Sequence, residues 1–186
     1  MTHTRVVTQP LGSLDDLELE LRKLPGVSVD VGELIEKRYP SRHFDAIVMN
    51  NVIEHVWNPT EMLAECRRIL RLGGRIVVIT PNSNSIGLDL FGRDWRGLEP
   101  PRHLFIYNRH TLKCFGRRAG FSRLLVFSSP GGSVGRAMIL SSIDLARGSG
   151  RMTPVNRSAV PGIIRKEYLL NLCGGSKGEW VVLLGA

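Results

Sequence analysis

The feature that most constrains this chain is a pair of unbroken apolar runs flanking one well-marked helix. Residues 46–49 read AIVM within Phe44 to Asn50, and residues 76–79 read IVVI within Arg75 to Thr80. A strand with one wet face alternates apolar and polar residues, whereas a short continuous run suits a strand covered on both faces, as in a parallel sheet under helices. Between the runs, Asn58-Pro59-Thr60-Glu61 supplies an N-cap, a proline at the first helical position and an acid three residues past the cap. Met62, Leu63, Cys66, Ile69 and Leu70 then share one helical face, and Gly73-Gly74 is expected to end the helix. The unit is a strand–helix–strand crossover, which is almost always right-handed.

The flanks continue the alternation. Residues 5–9 (RVVTQ) give a thin strand signal. Leu11, Leu14, Leu17, Leu21 and Leu24 recur at helical spacing until Pro25-Gly26 stops the pattern, and Val27, Val29 and Val31 alternate as a strand. Residues 81–107, rich in Asn, Gly and Pro, read as a long loop with short turns, and loops of that length are often functional. A helix is expected over 108–119, a strand over 121–128, a helix over 134–147, a linker over 148–162, a weaker helix over 163–172 and a last strand over 179–184. GGSVG at 131–135 reads as a turn. The whole predicts an α/β fold with a mainly parallel sheet.

Length and charge narrow the function. With 186 residues, a single domain over 1–186 is expected, with a core large enough to need no disulfide. Cys66, Cys114 and Cys173 form no CxxC pair, so a reducing, cytoplasmic setting is expected. Met1 to Pro10 has no apolar stretch of signal-peptide type, and no run reaches the ~20 apolar residues of a membrane helix. The formal charge is +8, and residues 91–136 hold nine Arg or Lys against Asp94 and Glu99. A solvated basic face accounts for this; nucleic acid is not expected, because no binding motif accompanies the charge.

Four pieces in order resemble class I S-adenosylmethionine-dependent methyltransferases, in the group that includes ubiquinone-biosynthesis O-methyltransferases. They are FDAIVMNNVIEHVWNP (44–59), RRILRLGGRIVVITPN (67–82), PPRHLFIYNRHTL (100–112) and RRAGF (117–121). The resemblance implies a Rossmann-like, seven-stranded sheet ordered 3-2-1-4-5-7-6 with strand 7 antiparallel. Residues 44–50, 75–80, 122–128 and 179–184 would be its strands 4 to 7, 27–32 strand 3 and 5–9 strand 2. Residues 1–43 would then be a remnant of the cofactor half, 44–130 the core, and 131–186 the C-terminal helices and last strand. Strand 1 has no candidate, and no acidic-GxGxG loop precedes residue 44. Gln9 stands about where the ribose-binding acid would be. A truncated chain is therefore expected.

The resemblance implies S-adenosyl-L-methionine as cofactor and methyl transfer, by expectation to oxygen of a small molecule. Glu33 would accept from the adenine amino group and Leu34 would offer its backbone N–H to the ring. Asn50, Asn51 and Val52 close strand 44–50, and ligands of open α/β sheets bind at the carboxyl ends of strands. His103, in the long loop, is the preferred catalytic or substrate-contacting histidine, with Arg102 beside it for an acidic acceptor. His55 is the second candidate base. Glu54-His55 reads as a loop pair shaping the pocket wall, so no metal is expected; Trp57 is expected to pack. Two other readings are a non-catalytic methyltransferase-like subunit and, less favoured, a basic nucleic-acid module. Without strand 1 the 44–50 segment becomes an apolar edge, and three outcomes are open: the chain is an unstable fragment, inactive as it stands, which ranks first; a second copy or a partner chain fills the gap; or strand 2 closes against the edge.

Overall fold

The computed structural model describes residues 4–8, 23–151, 155–172 and 177–186. Gln9 and nearly all of the helix expected over 11–24 lie outside them. The chain divides into two compact units, Met1–Ser41 and Arg42–Ala186.

In the first unit, β1 (Thr4–Thr8) and β2 (Val27–Val31) pair in parallel, Val6 opposite Val29. Val29 is buried, and Tyr39 Oη donates to Asp30 Oδ2 at 2.5 Å beneath the strand end. Gly32 turns the chain out of β2 with φ +127°, in the region that L side chains avoid.

The second unit holds a four-stranded sheet ordered β3-β4-β6-β5. Its strands are β3 (Phe44–Asn50), β4 (Leu70–Pro81), β5 (Leu124–Ser129) and β6 (Trp180–Gly185). β3 and β4 run parallel with Ile47 opposite Ile76, and β6 runs antiparallel to both β4 and β5. This is the order and polarity expected of strands 4-5-7-6. β3 is an edge strand of this sheet, and Val48 on it is 66% exposed.

Helix α1 (Pro59–Ile69) starts as its sequence requires: Asn58 accepts from the Glu61 N–H and donates its own amide to Glu61 Oε2. The whole expected stripe, Met62, Leu63, Cys66, Ile69 and Leu70, is buried, and burial pushes the Cys66 thiol up to about 12. The end of the helix differs from expectation. Backbone pairing begins at once at Leu70, opposite Phe44, so Gly73-Gly74 sit inside β4, at a register shift that Gly73 permits with φ +81°.

Two more departures follow from long-range contacts. Residues 81–107 are less loop-like than expected: α2 (Ile86–Phe91) forms there, capped by Ser85 Oγ on the Leu88 N–H and tied by the Gly87 N–H to Glu179 Oε1 at 2.8 Å. A Cβ on Gly87 would lie 2.7 Å from both Glu179 carboxylate oxygens, so only glycine allows this approach. GGSVG is not a free turn, because α4 (Gly132–Gly148) begins within it. Helix α3 (Arg109–Arg118) is held by a reciprocal Asn108–Thr111 capping box and packs on β5 and β6, with Gly116 allowing the close approach to Leu124 and Leu183. Helix α5 (Val160–Leu172) closes a second apolar cluster with α2 and α4, built on Ile86, Phe91, Trp95, Ile139, Ile143 and Val160.

Candidate functional site

The site grows from the carboxyl end of β3. Asn50 ends the strand exposed, and Asn51 turns the chain with φ +53°, a conformation Asn tolerates better than most residues. Its backbone N–H is spent on the Ile79 carbonyl at 3.0 Å, so of the three residues expected to face a cofactor, Asn51 offers no main-chain donor. Val52 follows, its carbonyl accepting from the His55 N–H.

A 3-10 turn at Ile53–His55 then drives Glu54 inward, to 0% exposure. The Thr80 hydroxyl, on β4, donates to Glu54 Oε2 at 2.9 Å, and no described residue partners Oε1. Burial holds the Glu54 carboxyl above its ordinary range, against the opposing hydrogen bonds. The Glu54 carbonyl accepts from the Leu104 and Phe105 N–H groups at 2.8 and 3.2 Å, which brings the loop before α3 onto this turn.

That clamp places His103 beside His55, with ring centroids 4.8 Å apart. His55 Nδ1 lies 2.9 Å from the Arg102 carbonyl, and His103 Nδ1 2.7 Å from that of Gly97. A carbonyl oxygen only accepts, so each Nδ1 carries the proton and each neutral ring keeps its lone pair on Nε2. Burial lowers the His103 pKa below the usual imidazole value. Glu99 Oε2 is 3.6 Å from His103 Nε2, while Glu99 Oε1 accepts from Arg96 and Arg102 at 2.8 and 2.7 Å. Arg102 is thereby engaged with Glu99, while His110, on α3, lies against Cys114.

The structure thus unites His103, His55 and Glu54 at the β3 and β4 ends. Trp57 departs from expectation: it is 82% exposed instead of packed. In the first unit, Glu33 is exposed after β2 and Leu34 begins a short 3-10 turn. What sequence reasoning missed is the meeting of Glu54-His55 with His103, which depends on main-chain bonds between distant segments.

Residues 14–126 match the methyltransferase domain family. The chain belongs to that family. A protein of Mycolicibacterium smegmatis described as a "probable S-adenosylmethionine-dependent methyltransferase" is 40% identical over 60 residues, which is 32% of this chain and 23% of that protein. One with the same description from Mycobacterium tuberculosis is 38% identical over 60 residues, 32% of this chain and 22% of its own length. The chain thus spans about a quarter of the curated relatives it matches. Among solved structures, a SAM-dependent methyltransferase from Thermotoga maritima superposes with a TM-score of 0.63 at 18% identity, over 98% of this chain and 72% of that one. One from Archaeoglobus fulgidus gives 0.55 at 16%, over 98% and 86%. These likenesses agree on the Rossmann-like methyltransferase fold.

Proposed function

We propose that this methyltransferase-domain protein transfers a methyl group from S-adenosyl-L-methionine to the oxygen of a small hydroxylated acceptor, with His103 taking the acceptor's proton. The observation that carries the reading is the His103 ring: Nδ1–H is fixed on the Gly97 carbonyl at 2.7 Å, and burial favours its neutral form, with the lone pair on Nε2. When bound, the cofactor supplies an electrophilic methyl on a sulfonium. Glu33 and Leu34 would hold its adenine, and Asn50 to Val52 its amino-acid end. The rest of the work falls to this chain. Gly97 fixes the ring's tautomer, the Glu54 carbonyl holds the loop, and Nε2 receives the hydroxyl proton as the oxygen attacks in line. Glu99, 3.6 Å from Nε2, stabilises the imidazolium that results.

The reading is tested with a panel of phenols, catechols and sugars, following S-adenosylhomocysteine formation. His103→Gln is expected to lower kcat by about 10²–10⁴-fold on any acceptor found, with cofactor affinity unchanged. Equal kcat in wild type and variant would remove His103 as the base.

A further inference from the structure

The geometry points to a divalent transition-metal site formed by Glu54, His55 and His103. One donor atom of each lies within 4.8 Å of the others. Both histidines donate Nδ1–H to backbone carbonyls, Arg102 for His55 and Gly97 for His103, at 2.9 and 2.7 Å. That arrangement fixes metal-binding imidazoles in proteins, because it leaves Nε2 basic and aimed. The third donor carries an independent signal. Glu54 is 0% exposed, Thr80 engages Oε2, and Oε1 has no partner among the described residues. A buried carboxylate oxygen without a donor has lost its water partners with nothing in exchange.

The surroundings have the same need. Glu99 Oε2 stands 3.6 Å from His103 Nε2, so a lone pair faces a carboxylate oxygen with no proton assigned between them. Arg96 and Arg102 engage the other Glu99 oxygen. Acceptors converge here from a turn after β3 and from the loop before α3, and a cation is the missing complement.

Two imidazoles and one carboxylate with open positions suit zinc, iron(II), cobalt(II) or manganese(II) better than magnesium or calcium, which prefer oxygen ligands throughout. Tetrahedral coordination at ~2.0–2.2 Å sets donors about 3.3 Å apart, so side-chain rotation must draw the three inward. The site needs no methyl-transfer activity. If His103 is also the base, a bound ion takes its lone pair, and added zinc would slow the reaction.

The test is titration of chelator-stripped full-length protein with Zn²⁺ by calorimetry and with Co²⁺ by visible absorption. One ion per chain is expected, with Co²⁺ bands showing nitrogen ligation. His55→Ala and His103→Gln should each weaken binding by on the order of 100-fold, and His110→Ala should leave it unchanged, with circular dichroism confirming that all three fold. Absence of binding at millimolar metal, or equal affinity in the two ligand variants and wild type, would overturn the site. Neither result bears on cofactor binding, which is measured separately.

Discussion

At the residue scale, two acids and a histidine carry most of what can be measured. Glu179, immediately before β6, is 0% exposed and accepts from Trp95 Nε1 at 2.9 Å and from the Gly87 N–H at 2.8 Å. Burial raises its carboxyl from 4.5 to about 7, more than these bonds lower it. Nearby Glu167 is raised in the same direction by burial, while its Oε1 accepts from the Gly131 and Glu179 N–H groups. The fold therefore favours protonated Glu179, while the unfolded chain ionises near 4.5. Its contribution is complete below that value and is lost as pH rises through about 7, an effect on the order of 3 kcal/mol. Urea unfolding is expected to show lower stability at pH 8 than at pH 5. Glu179→Gln should flatten that fall while costing about 1 kcal/mol throughout for the lost Trp95 bond. Equal slopes in the two proteins would assign the pH dependence elsewhere. His103, with its pKa lowered by burial, works on the opposite limb: its contribution is present above 6.5 and lost as pH falls through its folded value. Nothing in EWVVLL marks Glu179 as buried, since an acid before an apolar strand is ordinarily a solvated strand end. Its burial is fixed by Gly87 and Trp95, from a segment more than eighty residues away.

At the scale of elements, the parts fixed by local rules were legible. β3, the Asn58 cap and the buried stripe of α1 follow from apolar runs and capping chemistry, and the structure has each of them. Helix α2 was not legible. Six residues in an Asn-, Gly- and Pro-rich stretch are too few to show a period, and the helix is anchored at Gly87 by the distant Glu179 carboxylate. The early start of β4 was hidden for a related reason: glycines after a helix read as a stop, yet here pairing with Phe44 takes over first. The difference can be measured. Asn108→Ala removes a local capping box and should cost about 0.5–2 kcal/mol in chemical denaturation. Ile143→Ala empties a fully buried position in the α2–α4–α5 cluster and should cost about 2–5 kcal/mol. If the two costs were equal, the second cluster would be looser than its burial indicates.

At the scale of the whole molecule, the strand order 4-5-7-6 with its antiparallel member was legible from the resemblance and stands in the sheet. The candidate site was legible only residue by residue. His55 and His103 could each be named, but their meeting depends on the Leu104 and Phe105 N–H groups reaching the Glu54 carbonyl. Among the described residues, no helix is long and apolar enough to cross a membrane. In the second unit's sheet β3 hydrogen-bonds to β4, and Val48 lies exposed on that edge strand. We propose that this edge takes a second copy of this chain. Light scattering should show mass rising with concentration, and Val48→Lys should suppress the rise; a monomer at every concentration would refute the contact. The reading as a whole rests on cofactor binding by a chain in which no GxGxG loop precedes β3. The most direct measurement is calorimetric titration of the 186-residue protein with S-adenosylhomocysteine. One-to-one binding at micromolar strength, weakened by Glu33→Ala, is the expected result. A folded protein that shows no binding would contradict the proposal that this chain works as an S-adenosylmethionine-dependent methyltransferase.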